Sequence, residues 1–184
     1  MPLRNTVYRW GAIAQLFHWT IVALIVVQFV LINMASRLPL GLQKVALLAQ
    51  HKSFGITILG LAIIRLVWRL LNTAPPLPPT LKPYERVLAH GTHWGLYILL
   101  FTIPLSGWAM SSARNFPVSW FKLVQLPDFV QPNKAMYAAM QQTHEILTTA
   151  LLVVVALHVL GALKHHFILK DDVLRRMLPF TRTK

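Results

Sequence analysis

Charged residues are missing from long stretches of this chain. None occurs from Trp10 to Ser36, from Val87 to Ala113 or from Ile146 to Leu163. A shorter uncharged window, Ser53 to Ile64, is flanked by Lys52 and Arg65, which can snorkel from its ends. A helix rising ~1.5 Å per residue needs about 20 apolar residues to cross a hydrocarbon core ~30 Å thick. The pattern predicts four spanning helices, at about 11–34, 47–71, 84–113 and 143–167. The expected class is an all-α integral membrane four-helix bundle, one domain over residues 1–184 with almost no mass left for a soluble part.

The connections carry their own signals. Trp10 and Trp19 suit the interfacial belt of the first helix. Gly55 and Gly60 in the second helix let a neighbouring helix or a flat macrocycle approach. Pro75, Pro76, Pro78, Pro79 and Pro83 make Asn72 to Pro83 a stiff, extended linker. Pro104 predicts a kink in the third helix, because proline removes a backbone donor and crowds the preceding turn. The longest connection, Arg114 to Gln142, holds Phe116, Trp120, Phe121 and Phe129, which suit a segment lying in the membrane interface. A basic tail runs from Lys170 to Lys184, with Asp171 and Asp172 its only acids.

Composition narrows the class. The 184 residues are 55% hydrophobic and 12% charged, with mean hydropathy +0.54. These values exclude disorder and an ordinary soluble domain. The net charge of +13 would fit nucleic acid, but a membrane explanation is simpler, since Lys and Arg gather in cytoplasmic loops. With the N-terminus cytoplasmic, that side holds Arg4, Arg9, Arg65, Arg69, Lys82, Arg86, Lys164, Lys170, Arg175, Arg176, Arg182 and Lys184. The outside holds only Arg37, Lys44, Lys52, Arg114, Lys122 and Lys134. The expected placement is multi-pass in a bacterial inner membrane with both termini cytoplasmic, the partner being lipid rather than nucleic acid. The absence of cysteine rules out disulfides, thiolate-held iron–sulfur clusters and covalent c-type haem. The first apolar stretch is longer than a signal-peptide core and its removal would discard His18, so it is expected to stay uncleaved.

The histidines carry the chemistry. His144 and His158 are fourteen residues apart, which places them within about 40° on one helix face and ~21 Å apart along it. Histidine at such depth reads as functional. Helix direction then pairs them by level. His18 and His158 lie near the inner face, and His51 and His144 near the outer face. Facing side chains in bundles build cofactor sites, and neutral imidazole binds haem iron. Two transverse pairs are what two b-type haems stacked across the bilayer need. The ordinary alternative for any one of them is a membrane histidine bonded to a neighbouring helix.

Other polar residues are weighed against this pattern. His90 and His93, on the third helix, compete with His158 as partner of His18, or else bond a propionate or headgroup. His165 and His166 read as solvated or interfacial, with a role in handing a quinone carbonyl its proton as the sharper reading. Arg9, Lys52 and Arg65 are positioned to snorkel or to reach a propionate. Glu145 is expected in the first turn of the fourth helix, where it suits the helix dipole. No Asp or Glu falls in a membrane centre, which counts against a proton pump or cation transporter.

With those residues placed, the chain resembles the prokaryotic cytochrome b561 family. The motifs are Phe17-His18-Trp19, His51-Lys52-Ser53-Phe54-Gly55, Arg65-Leu66-Val67-Trp68-Arg69 and Ala89-His90-Gly91-Thr92-His93. The strongest runs from Ala162-Leu163-Lys164-His165-His166-Phe167 through Asp171-Asp172 to Leu174-Arg175-Arg176-Met177. The resemblance implies four helices, two b-type haems and electron exchange with membrane quinone. It also implies axial roles for His18, His51, His144 and His158. One branch of the family resembles a superoxide:ubiquinone oxidoreductase. This chain looks closer to another, associated with a small periplasmic isoprenoid-binding protein.

The expected function is therefore electron transfer between ubiquinone and a periplasmic partner, either superoxide or a redox protein. The outer face sets six cations against Asp128 and Glu145, which could steer a small anion. The haems would do the chemistry, so no catalytic side chain is named. Competing readings are a haem-bearing anchor subunit of a periplasmic oxidoreductase, a histidine-lined metal transporter, and a haem-storing or sensing module.

Overall fold

Lipid offers the backbone no hydrogen bonds, so each apolar window must satisfy its own, and the α-helix does so within one segment. The computed structural model describes residues 2–181. They form α1 (Ala12–Ser36), α2 (Leu42–Leu71), α3 (Pro83–Ala113) and α4 (Lys134–Leu163), the last continued by a π-helical turn, Lys164–Leu169. All four are long and apolar enough to cross a membrane. A small antiparallel hairpin, β1 (Ser119–Trp120) and β2 (Val124–Gln125), and a short α5 (Val173–Met177) complete the all-α chain. Val26, Val30, Ile64, Val67, Val153 and Leu160 are exposed along these helices, as a lipid-facing surface requires. Arg182 and Lys184, counted above among the inner cations, lie outside the described residues.

Two helix starts differ from the sequence expectation. The fourth helix begins at Lys134 rather than near residue 143. Asn133 caps it, its Oδ1 accepting from Met136 N at 3.0 Å. Glu145 is consequently three turns inside the helix, and the dipole explanation for it does not hold. Its carboxylate instead accepts from Gln141 Nε2 at 3.1 Å. The second helix likewise begins early, at Leu42, just after Gly41. The third starts close to expectation, with Pro83 in its first turn and Glu85 reaching back to accept from Lys82 N at 2.9 Å. It continues through Pro104 as one helix.

The described chain divides into two compact units, and each draws a segment from all four long helices. One, here the terminal unit, takes the first twenty residues, Ile63–Ile98, and the chain from Ala150 onward. In it the two ends of the chain interlock. Gln15, 3% exposed, donates from Nε2 to Trp10 O and Arg176 O, both at 3.1 Å. Trp19 Nε1 donates to Met177 O at 3.0 Å, and Arg9 Nη1 to Thr181 O at 2.9 Å. Arg176 Nη1 donates to Pro76 O at 2.9 Å, tying the proline linker to the tail. Gly11 lets the N-terminal segment fold back against the start of α1, because a Cβ there would come within 2.4 Å of Leu3 O.

The other, the hairpin unit, comprises Ile21–Ala62 and Leu99–Thr149. Its core is Ile21, Ile58, Ala62 and Leu100, flanked by Leu24, Ile25, Leu61 and Phe101. The hairpin turn puts Phe121 and Lys122 at φ 48° and 62°, a left-handed conformation costly for such side chains. Contacts to α2 hold it there. Phe121 N donates to Ser53 Oγ, and Trp120 Nε1 to Thr57 Oγ1, each at 3.0 Å. The Phe121 ring also meets Phe54 edge-on at 5.1 Å. The aromatic connection is thus folded against its own unit.

Candidate cofactor site

Each unit brings together one of the histidine pairs picked out by depth. In the terminal unit the rings of His18 on α1 and His158 on α4 stand 6.1 Å apart, centre to centre, at 63°. In the hairpin unit those of His51 on α2 and His144 on α4 stand 6.4 Å apart at 74°. All four side chains are half-buried. A metal held at about 2 Å from a nitrogen of each of two opposed imidazoles sets the ring centres about 6 Å apart. Each pair could give an iron two imidazole nitrogens, and a haem would supply the rest of its ligands. Among the described residues, no group of three or more His, Cys, Asp or Glu is placed to hold a metal ion.

The hairpin-unit pair has the better-defined support. His144 Nδ1 lies 3.0 Å from Ile103 O and 3.0 Å from Ser106 Oγ, while Ser106 Oγ donates to Ile103 O at 2.8 Å. Both oxygens therefore accept from an Nδ1–H, and the lone pair is left on Nε2, the tautomer a metal ligand needs. Gly107 makes room for the ring, since a Cβ there would lie 3.0 Å from His144 Cε1. Gly55 similarly leaves space for Gln28, whose Nε2 would be 3.1 Å from an added Cβ. Among the described residues, Gln28 Oε1 and Trp108 Nε1 are buried without a hydrogen-bond partner. Buried polar atoms left open in this way fit a unit that expects a further polar group.

The terminal unit is more crowded. His93 on α3 brings its ring to 5.3 Å from that of His158, shorter than the ~6 Å of two imidazoles on opposite sides of one metal. His90, one turn earlier, is exposed. Arg65 Nη2 donates to His18 Nδ1 at 3.2 Å, and its guanidinium lies 5.6 Å from the Tyr97 ring centre. Arg69 faces the same ring at 5.7 Å and Trp94 at 5.9 Å. The other two cations considered for a propionate are engaged elsewhere. Arg9 bonds the tail, and Lys52 Nζ donates to Phe116 O at 3.1 Å from above that residue's ring.

His165 is not a freely solvated group. Its Nδ1 donates to Asp171 Oδ2 at 2.6 Å, across the π-helical turn, while Asp171 N donates to His165 O at 3.1 Å. His166 packs edge-on against Phe167 at 4.8 Å. Lys164 is joined to Glu85 of α3 at 2.6 Å. Sequence reasoning did not single out Ile103, Ser106 and Gly107 as the support of His144. Their signal was a serine and a glycine next to a helical proline, facing the level of a histidine.

The chain matches the model of the prokaryotic cytochrome b561 family over residues 9–180. It is 34% identical over 188 residues to cytochrome b561 homolog 2 of Escherichia coli (strain K12), covering 97% of this chain and 95% of that one. It is 32% identical over 165 residues to the probable superoxide oxidase CybB of Yersinia pestis, covering 90% and 93%. Cytochrome b561 homolog 1 of Escherichia coli (strain K12) is 27% identical over 164 residues, covering 88% and 92%. With four apolar helices and near full-length matches at this identity, the chain belongs to the prokaryotic cytochrome b561 family of b-type membrane cytochromes.

Proposed function

We propose that this chain carries two b-type haems and passes electrons across the inner membrane between ubiquinone and a redox partner on the periplasmic side. The observation that carries the reading is the pair of ring separations, 6.1 and 6.4 Å, one in each unit. His18 with His158 would hold one haem, and His51 with His144 the other. Haem bound between two imidazoles supplies a one-electron carrier with no open coordination position. The chain's residues then have three tasks. His144, fixed through Ile103 O and Ser106, presents Nε2; Gly107 and Gly55 keep the approach clear; the apolar helix faces exclude water.

Among periplasmic partners, superoxide is favoured over a protein. One relative is named a probable superoxide oxidase, and the presumed outer face carries Arg37, Lys44, Lys52, Arg114, Lys122 and Lys134 against two acids. The test uses the purified chain in detergent. Dithionite should produce the spectrum of low-spin, bis-histidine haem at two haems per chain. A ubiquinol analogue should reduce the haems, and superoxide should reduce them in its absence. Haems inert to quinol and quinone alike would defeat the redox-carrier reading and leave an anchor or storage role. Haems that answer quinol but not superoxide would point to a periplasmic redox protein.

A further inference from the structure

A guanidinium has five N–H donors and no lone pair to offer. The 3.2 Å contact between Arg65 Nη2 and His18 Nδ1 therefore makes Nδ1 the acceptor and puts the single proton of the neutral imidazole on Nε2. Iron takes a lone pair from a neutral imidazole nitrogen. If His18 binds through Nε2, its proton moves to Nδ1, and two donors then face each other across that contact. If it binds through Nδ1, iron occupies the lone pair that Arg65 uses. In both cases the Arg65 contact and ligation by His18 exclude one another, so that contact must break when the ligand forms.

Its destination is constrained by charge. Arg65 is half-buried, and it donates its one hydrogen bond among the described residues to that histidine. The ion pairs among these residues, Lys164–Glu85, His165–Asp171 and Arg175–Asp172, all use other cations. A partly buried cation with Arg69 beside the same tyrosine ring is costly without an anion. The planar fork of arginine suits a carboxylate.

We infer that Arg65 caps His18 in the cofactor-free chain and turns onto a propionate carboxylate of the haem when His18 becomes its ligand. This rests on the assignment of His18 and His158 to one haem. The test is a cycle of two charges. The chain is synthesised cell-free into lipid nanodiscs with either haem or haem dimethyl ester, whose propionates carry no charge. Uptake at the His18 site is read as the absorbance that His158→Ala loses, and uptake at the His51 and His144 site reports that each variant has folded. Wild type should prefer haem over the ester at the His18 site by at least tenfold. Arg65→Gln should reduce that preference below threefold, and Arg65→Lys should fall between. The midpoint of the same haem should also shift in Arg65→Gln, with a tenfold change in the ratio of reduced to oxidised form, which for one electron is 59 mV. A preference that is the same in wild type and Arg65→Gln overturns the inference about Arg65 alone. A wild-type chain that takes up neither haem nor ester defeats the haem assignment instead.

Discussion

The imidazole of His144 on α4 is held from α3 by the carbonyl of Ile103, with Nδ1 and O 3.0 Å apart. Because an amide carbonyl can only accept, this contact selects the tautomer and aims Nε2 away from α3. Gly107, one turn beyond Ile103, leaves open space that the same ring uses. A methyl group there would stand 3.0 Å from Cε1 and 3.3 Å from Nδ1. Gly107→Ala should push the ring by a few tenths of an ångström and shift the absorbance and midpoint of one haem. Gly107→Leu should abolish that haem and spare the other. Reduced-minus-oxidised spectra of both variants check this, and unchanged spectra in Gly107→Leu would remove the close approach from the account.

The pairing makes a sharper prediction. Substitutions within a pair should produce the same partial spectrum, so His18→Ala should match His158→Ala, and His51→Ala should match His144→Ala. On this pairing His93→Ala should keep both haems, because His18 already has its partner in His158, 6.1 Å away ring to ring. Haem stoichiometry by pyridine haemochrome decides it. A His93→Ala chain with one haem beside a His158→Ala chain with two would reassign the partner of His18.

The four spanning helices were legible as charge-free windows because lipid penalises every unpaired polar group, and that penalty is written directly into composition. The first turns of α4 were not, since Lys134, Gln141 and Gln142 break the apolar run. The local signal that survives is Asn133, a good N-cap after a proline. The depth of each histidine follows from counting residues, so the ring pairs His18–His158 and His51–His144 were readable. The turn of α3 about its own axis depends on packing from three neighbours. For that reason neither the approach of His93 to His158 nor the hold of Ile103 on His144 could be read from spacing. The π-helical turn escaped for a related reason, as it closes through a side chain six residues away.

That closure, His165 Nδ1 to Asp171 Oδ2 at 2.6 Å, orients the imidazole in the way a carboxylate orients a proton-transferring histidine. Asp171 also accepts from Val173 N through Oδ1 at 3.0 Å, a bond asparagine can keep. Asp171→Asn should therefore preserve the turn and both haem spectra but weaken the hold on His165. If His165 passes protons to or from quinone, haem reduction by a quinol analogue should slow about tenfold or more, with dithionite reduction unaltered. Stopped-flow rates with quinol and with dithionite check this. Equal quinol rates would leave the pair a purely structural clasp.

Ser53 is 2% exposed and joins the hairpin to α2. Its hydroxyl is 3.0 Å from Ala49 O and 3.0 Å from Ser119 O, and it accepts from Phe121 N. Ser53→Ala leaves Phe121 N and Ser119 O unpaired where the turn already holds two side-chain-bearing residues at positive φ. The cost should be about 1–3 kcal/mol, the range for a buried group losing its partner. It should fall on the segment between Ala113 and Lys134 while the helices persist. Limited proteolysis from the outer face should cut the variant there at least several-fold faster than wild type, with haem spectra retained. Equal cleavage rates would show that Phe54 and Thr57 hold the hairpin unaided.

Sidedness is the remaining commitment, and it follows from charge alone. Placing the N-terminus in the cytoplasm puts twelve Lys and Arg on that side and six on the other, accounting for all 18. Each cation held back near a spanning segment favours the cytoplasmic leaflet. On that placement, four spanning helices would put both ends of the chain on one side and the connection between α3 and α4 in the periplasm. A phosphatase active only in the periplasm should give no signal when fused to the C-terminus and a strong one when inserted at Pro127, beyond β2. A strong C-terminal signal would invert this arrangement.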